Sequence, residues 1–256
     1  MIRSARRLAA LVLLASLGLG ACSASDGDDG SSGGTVTVFA AASLKESFTE
    51  LGERFEEEHP GIEVTFNFNG SDSLAAGIVG GAPADVFAAA SPSTMARVTD
   101  EKLTADAPVT FARNRLAIAT APGNPHGIGS LEDLATPGLK VVLCDATVPC
   151  GAAARKALAA AGTDVTPASY EQDVKSALTK VRLGEADAAV VYRTDVRAAG
   201  DTVEGVDFPE AAQAVNDYPI ARLENAPDAP AADAFVAFVT SPEGRKVLGK
   251  AGFLAP

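Results

Sequence analysis

The chain has 256 residues, 47% of them hydrophobic, and a formal net charge of −12. That is enough apolar residue for one large domain or two smaller lobes. The acid excess argues against nucleic acid and anionic lipid as partners of the folded chain, because both would be repelled.

The chain opens with "MIRSARR", a basic segment, followed by the short apolar run "LAALVLLASLGLG". Residues 1–21 read as an export signal, too short and wrongly flanked for a spanning helix. They contain Arg3, Arg6 and Arg7 and no acid, so the remainder carries −15. Leu19-Gly20-Ala21-Cys22 looks like a bacterial lipobox, in which Cys22 would be lipidated and become the first mature residue. An ordinary secretory signal with an incidental cysteine is the alternative. Residues 22–34, "CSASDGDDGSSGG", have no side chain large enough to pack and read as a flexible tether. Two acyl chains on Cys22 are the number that stable membrane anchoring needs.

From Thr35 onwards strand-like and helical runs alternate. "TVTVFAA" (35–41) reads as a strand, and Leu44, Phe48, Leu51 and Phe55 then recur at helical spacing. "IEVTFNF" is a second strand, "SDSLAAGIVGG" a short helix and "ADVFAAA" a third strand. "SPSTMARVTDEKL" opens a helix with Ser91 as N-cap and Pro92 at its first position. The pattern restarts at "RLAIATAP", followed by strand "KVVLCD", helix "GAAARKALAAAG", helix "VKSALTKVRLGEA" and strand "DAAVVYRT". Strand "DYPIARLE" and the helices "AADAFVAFVT" and "SPEGRKVLGKAGF" close the chain. The expectation is an α/β fold of two lobes, 35–114 plus 222–256 and 115–221. Each lobe would be a mostly parallel sheet between helices, with a ligand cleft between them. No internal repeat is read outside the tether.

Three cysteines are present. With Cys22 assigned to lipid, Cys144 and Cys150 remain in an exported domain where disulfides persist. Their C-x5-C spacing is not the C-x2-C of redox or zinc motifs. His59 and His126 lie far off in the sequence, so a metal site is not expected. A Cys144–Cys150 disulfide is.

The strand-to-helix junctions hold the candidate chemistry. Helix N-termini present unpaired N–H groups and partial positive charge, and so attract anions. Ser43 and Ser71 stand at two junctions, Cys150 and Val174 at two more, and Tyr192 at a strand end could add a phenolic donor. Plainer roles compete with each. Ser43 with Glu46 fits the S-x-x-E capping box, Ser71 could also be a cap, and Tyr192 could be a core tyrosine. Asp85 reads as structural, since a carboxylate would repel an anion.

The motifs "VFAAASL", "GAPADVFAAAS" (81–91), "VPCG" (148–151), "EQDVKSAL" (171–178) and "AVVYRTD" (189–195) carry a resemblance from Thr35 to Pro256. The chain resembles the periplasmic molybdate-binding proteins of ABC importers. "SPEGRKVLGKAGF" is shared more widely among solute-binding proteins. The resemblance implies two α/β lobes that hold molybdate or tungstate as an oxyanion, with no protein–metal bond, no cationic side chain and no cofactor. It implies as ligand groups the hydroxyls of Ser43, Ser71 and Tyr192 and the backbone N–H groups of Cys150 and Val174. Many members have alanine at the position of Cys150 and lack a partner for it. A backbone contact survives that difference. The implied partners are an ABC permease and, through the lipid anchor, the membrane, with the exported chain a monomer.

A receptor for another oxyanion, such as sulfate, is the alternative. A serine hydrolase using Ser43 or Ser71 would need a base beside the serine, and no G-x-S-x-G elbow is present. An intracellular anion-sensing regulator is at odds with the export signal and the lack of a DNA-binding segment ahead of the domain.

Overall fold

The computed structural model describes residues 34–256. The expected export signal, Cys22 and all but the last residue of the expected tether lie outside the described residues.

The first sheet has the order β2-β1-β3-β10-β4, built from β1 (Thr35–Ala41), β2 (Glu63–Asn69), β3 (Val86–Ala88), β4 (Val109–Asn114) and β10 (Asn216–Arg222). The second has the order β7-β6-β8-β5-β9, from β5 (Leu116–Thr120), β6 (Val141–Cys144), β7 (Ser169–Glu171), β8 (Ala188–Tyr192) and β9 (Glu204–Val206). The architecture is α/β with two lobes. Each sheet is mixed rather than mostly parallel. In the first, β1 runs parallel to β2 and β3 while β10 runs antiparallel to β3 and β4. In the second, β6 runs parallel to β7 and β8 while β5 runs antiparallel to β8 and β9. The antiparallel pairs arise where the chain passes from one lobe to the other and back.

Strand β10 corrects the expected boundary at 221/222. It pairs with β3 and β4, so it belongs to the first lobe, and the return crossing falls ahead of Asn216. Pro219 sits in this interior strand although it cannot donate to the ladder; the register shifts between Tyr218 and Pro219, which is how a sheet accommodates proline.

Both faces of the first sheet are covered. On one face, Phe48 and Phe55 of α1 (Lys45–Glu58) meet Phe235 and Phe238 of α7 (Ala229–Thr240) over Val36, Val38 and Ala40. On the other, Leu74 and Ile78 of α2 (Ser71–Val79) and Met95 and Val98 of α3 (Pro92–Thr99) pack on Phe39 and Phe87. The period-2 alternation of β1 thus serves two cores. The second sheet carries α4 (Pro149–Ala161), α5 (Val174–Arg182) and α6 (Arg193–Ala199), and α8 (Pro242–Ala251) packs beside α1 and α7.

One short run does recur. VFAAAS occupies 38–43 and again 86–91, and the two copies lie side by side, Val38 opposite Val86 and Phe39 opposite Phe87. Both strands deliver their serine to the same edge of the sheet.

Candidate functional site

All five residues singled out from the sequence line one cavity between the two sheets: Ser43 and Ser71 from the first lobe, Cys150, Val174 and Tyr192 from the second. The cavity measures about 20 Å³, the space of about one water-sized sphere. Ala41, Ala42 and Ala90 also line it. Their small side chains let backbone come close to whatever lies inside.

Neither serine is a cap. Residues 42–44 form a 3₁₀ turn ahead of α1, and no side chain caps either element. The S-x-x-E box is not made: Ser43 Oγ lies 2.9 Å from Tyr218 Oη, and Glu46 reaches Lys175 instead. The cap of α2 is Gly70, and Ser71 Oγ accepts the Ala90 N–H at 3.0 Å. Tyr192 is a core residue, 1% exposed, whose hydroxyl reaches the cavity and accepts from Asn216 Nδ2 at 2.9 Å. Burial pushes its pKa well above 10.0, so Tyr192 keeps its proton at any pH the cell imposes.

The second lobe exposes its N–H groups by two local devices. In α4 the first position is Pro149, which has no N–H, and Val148 ahead of it offers no side-chain cap. The first N–H of that helix is therefore that of Cys150. In α5 the cap Asp173 takes the N–H groups of Lys175 and Ser176 on Oδ1, which leaves Val174, the first residue, outside its reach. Asp173 itself borders the cavity; its Oδ2 is occupied by Ser176 Oγ at 2.6 Å. Asp85, in contrast, does not line the cavity. Its carboxylate accepts from the N–H of Thr37 and of Asp228.

Cys144 and Cys150 are joined, with Cα atoms 5.8 Å apart, tying the end of β6 to the first turn of α4. The side chain of Cys150 is thereby spent in the bond, and only its backbone is free to face the cavity. Gly151 follows because a Cβ there would meet the Asp145 carbonyl oxygen at 1.8 Å.

No Lys or Arg lines the cavity. Lys175, next to Val174, bridges Glu46 of the first lobe at 2.7 Å and the fully buried Asp195 at 3.0 Å. Apart from Asp173, whose carboxylate is taken up by the first turn of α5, the site offers neutral groups: hydroxyls, N–H groups and small side chains. Such a set suits a small anion rich in acceptor oxygens. It holds no base beside either serine of the kind acyl transfer needs. Among the described residues, no group of three His, Cys, Asp or Glu is placed to hold a metal ion.

Sequence reading did not find the residues behind the donors: Asn114, Thr194, Asn216 and Tyr218. A weak signal existed, since Asn216 and Tyr218 are two apart in a strand and so share a face.

Residues 36–254 match the model of a family described as bacterial extracellular solute-binding protein. The chain belongs to that family. This solute-binding protein is not an enzyme. It is 45% identical over 222 residues to the molybdate-binding protein ModA of Mycobacterium tuberculosis, covering 87% of this chain and 85% of the relative. Its fold is that of the Azotobacter vinelandii periplasmic molybdate-binding protein (TM-score 0.76, 20% identity, 86% of this chain and 99% of that one). It is also that of the sulfate-binding protein SubI of M. tuberculosis (TM-score 0.74, 20% identity, 86% of each chain).

Proposed function

We propose that this solute-binding protein captures molybdate, and tungstate with it, outside the cytoplasm and hands it to an ABC permease. The observation that carries the reading is the convergence of Ser43, Ser71, Cys150, Val174 and Tyr192 on one small cavity free of cationic side chains. The 45% identity to a molybdate-binding protein supports it. The hydroxyls of Ser43, Ser71 and Tyr192 and the N–H groups of Cys150 and Val174 each donate to an oxygen of the anion. Lipidation of Cys22 and the tether over 22–34 keep the receptor, a monomer, near the membrane. The first lobe, 35–114 with the chain returning to it at Asn216, and the second lobe between them close over the anion by hinge motion.

The donor set also explains selectivity. Molybdate carries two charges and no proton near neutral pH, so a cage of donors alone satisfies it. Hydrogen phosphate brings a P–O–H proton that finds no acceptor. Sulfate has the same charge and no proton, so only cavity size separates it. An exported chain of net charge −15 tolerates a bound dianion because the donors are close and in low dielectric, whereas the surface charge is distant and screened.

Isothermal titration of the purified chain with molybdate, tungstate, sulfate and phosphate tests this. Tight molybdate and tungstate binding is expected, with sulfate at least tenfold weaker and phosphate undetected. Tight sulfate binding without molybdate binding would replace the reading with a sulfate receptor.

A further inference from the structure

A hydroxyl serves an anion only when its proton points at it. In this cavity the oxygen of each hydroxyl is met from behind by another polar group. Ser71 Oγ accepts the Ala90 N–H at 3.0 Å. Tyr192 Oη accepts from Asn216 Nδ2 at 2.9 Å. Ser43 Oγ faces Tyr218 Oη at 2.9 Å, and Asn114 Nδ2 donates to that Tyr218 oxygen at 3.4 Å.

The amide orientations are set independently of the cavity. Asn216 Nδ2 also donates to the Ala90 carbonyl at 2.8 Å, a group that can only accept. Asn114 Oδ1 accepts the Arg115 N–H at 3.0 Å, which turns its NH₂ group towards Thr194 Oγ1 at 2.8 Å and Tyr218. Asn114 and Asn216 stand opposite each other across β4 and β10, where the chain leaves the first sheet and returns to it.

We propose that Asn216, together with the Asn114–Tyr218 pair behind Ser43, are positioning residues that fix the proton direction of the cage. With Tyr218 giving its proton to Ser43 and Asn216 donating to Tyr192, every hydroxyl is left to donate towards the ligand, which sets the preference for fully deprotonated oxyanions over protonated ones. The inference rests on reading the cavity as a molybdate site. Asn216 belongs to the first sheet and Tyr192 to the second, so the phenol is given its polarity from across the hinge. Without the Asn216 donor, the Tyr192 hydroxyl is free to turn and accept a hydrogen bond from the P–O–H of an anion such as hydrogen phosphate.

The test is a titration cycle on the full chain: wild type, Asn216→Leu, Tyr192→Phe and the double variant. Each is titrated with molybdate and with inorganic phosphate, and its thermal unfolding recorded. Asn216→Leu is expected to weaken molybdate binding about tenfold, the scale of one hydrogen bond in a charged site. It should raise phosphate affinity relative to molybdate, and cause no further loss in the Tyr192→Phe background. Asn216→Asp keeps the shape but offers an acceptor; it should weaken molybdate more than Asn216→Leu does, and it carries the test if Asn216→Leu does not fold. Losses that add fully in the double variant, with an unchanged phosphate-to-molybdate ratio, overturn the inference and leave the molybdate reading intact. A wild type that binds neither anion overturns both.

Discussion

Ser43 and Ser91 end the two copies of VFAAAS, and their neighbours divide their roles. Ser91 is followed by Pro92, adopts extended backbone, and caps α3 by accepting the Thr94 N–H. Ser43 is followed by Leu44 and Lys45 within a turn that already runs into α1, so its hydroxyl is released to Tyr218 and the cavity. The two should separate experimentally. Ser91→Ala is expected to lower stability by about 1 kcal/mol in thermal unfolding while leaving molybdate affinity alone. Ser43→Ala and Tyr192→Phe are each expected to weaken molybdate binding by about 1.5–3 kcal/mol, the range for a hydrogen bond to a charged group, as read by titration. Unchanged affinity in both would remove them from the cage. The five candidate residues were legible because each marks a helix start or strand end, a position that sequence flags by capping residues, proline and period. Asn114, Asn216 and Tyr218 were not. Their role depends on which strands become neighbours at the hinge, and no local pattern encodes that register.

Among the elements, α5 is where charge and ligand meet, since its first residue is Val174 and its second is Lys175. Burial pulls the Lys175 pKa down, but Asp195 and Glu46 outweigh that and hold it above 10.5. Asp195 goes the other way: burial raises it more than Lys175 lowers it, to about 6 from its ordinary 3.8. A carboxyl with a raised folded pKa holds its proton more tightly in the folded chain than in the unfolded one. Its contribution to stability is therefore fullest below 3.8 and is lost as pH rises through about 6. Asp195→Asn should flatten that part of the stability curve relative to wild type, measured by denaturant unfolding across the interval. The other helix mouth, that of α4, depends on the disulfide. Closing so small a ring contributes about 2 kcal/mol in the chain-entropy model. Reduction, or Cys144→Ser with Cys150→Ala, should weaken molybdate binding several-fold without abolishing it, because the Cys150 N–H loses its preset direction. Unchanged affinity would leave the bond a stabilising one only. Long periodic elements such as α1 and β1 were readable in the sequence. Strand β4 was not, since "VTFARN" runs almost directly into β5 and the break falls at a lobe crossing rather than at a turn signal. Strands β7 and β9, three residues each, are too short to show a period.

At the scale of the whole molecule, the two lobes approach closely enough to dictate residue size across the cleft. Gly70 has backbone angles of −55° and 132°, which alanine adopts without strain. A Cβ there would nevertheless stand 2.5 Å from the Gln172 carbonyl oxygen of the opposite lobe. Its nearest neighbour in the same lobe is the Asp72 side-chain oxygen at 3.0 Å, which can shift, so Gly70→Ala should penalise chiefly the approach of the lobes. The expected result is a ligand-free stability within about 0.5 kcal/mol of wild type, with molybdate affinity at least tenfold lower and a smaller thermal shift on adding ligand. Equal loss of ligand-free stability would mean that the glycine serves the fold rather than closure. The ion pair from Lys175 to Glu46 also spans the lobes, but an exposed pair of this kind is worth at most about 1 kcal/mol. Fit across the cleft outweighs it.

The link between Cys144 and Cys150 has a consequence in time and place. Such bonds persist outside the reducing cytoplasm. A newly made chain still in the reducing cytoplasm would therefore carry this loop untied, and the Cys150 N–H would gain its fixed direction only once the bond closes outside.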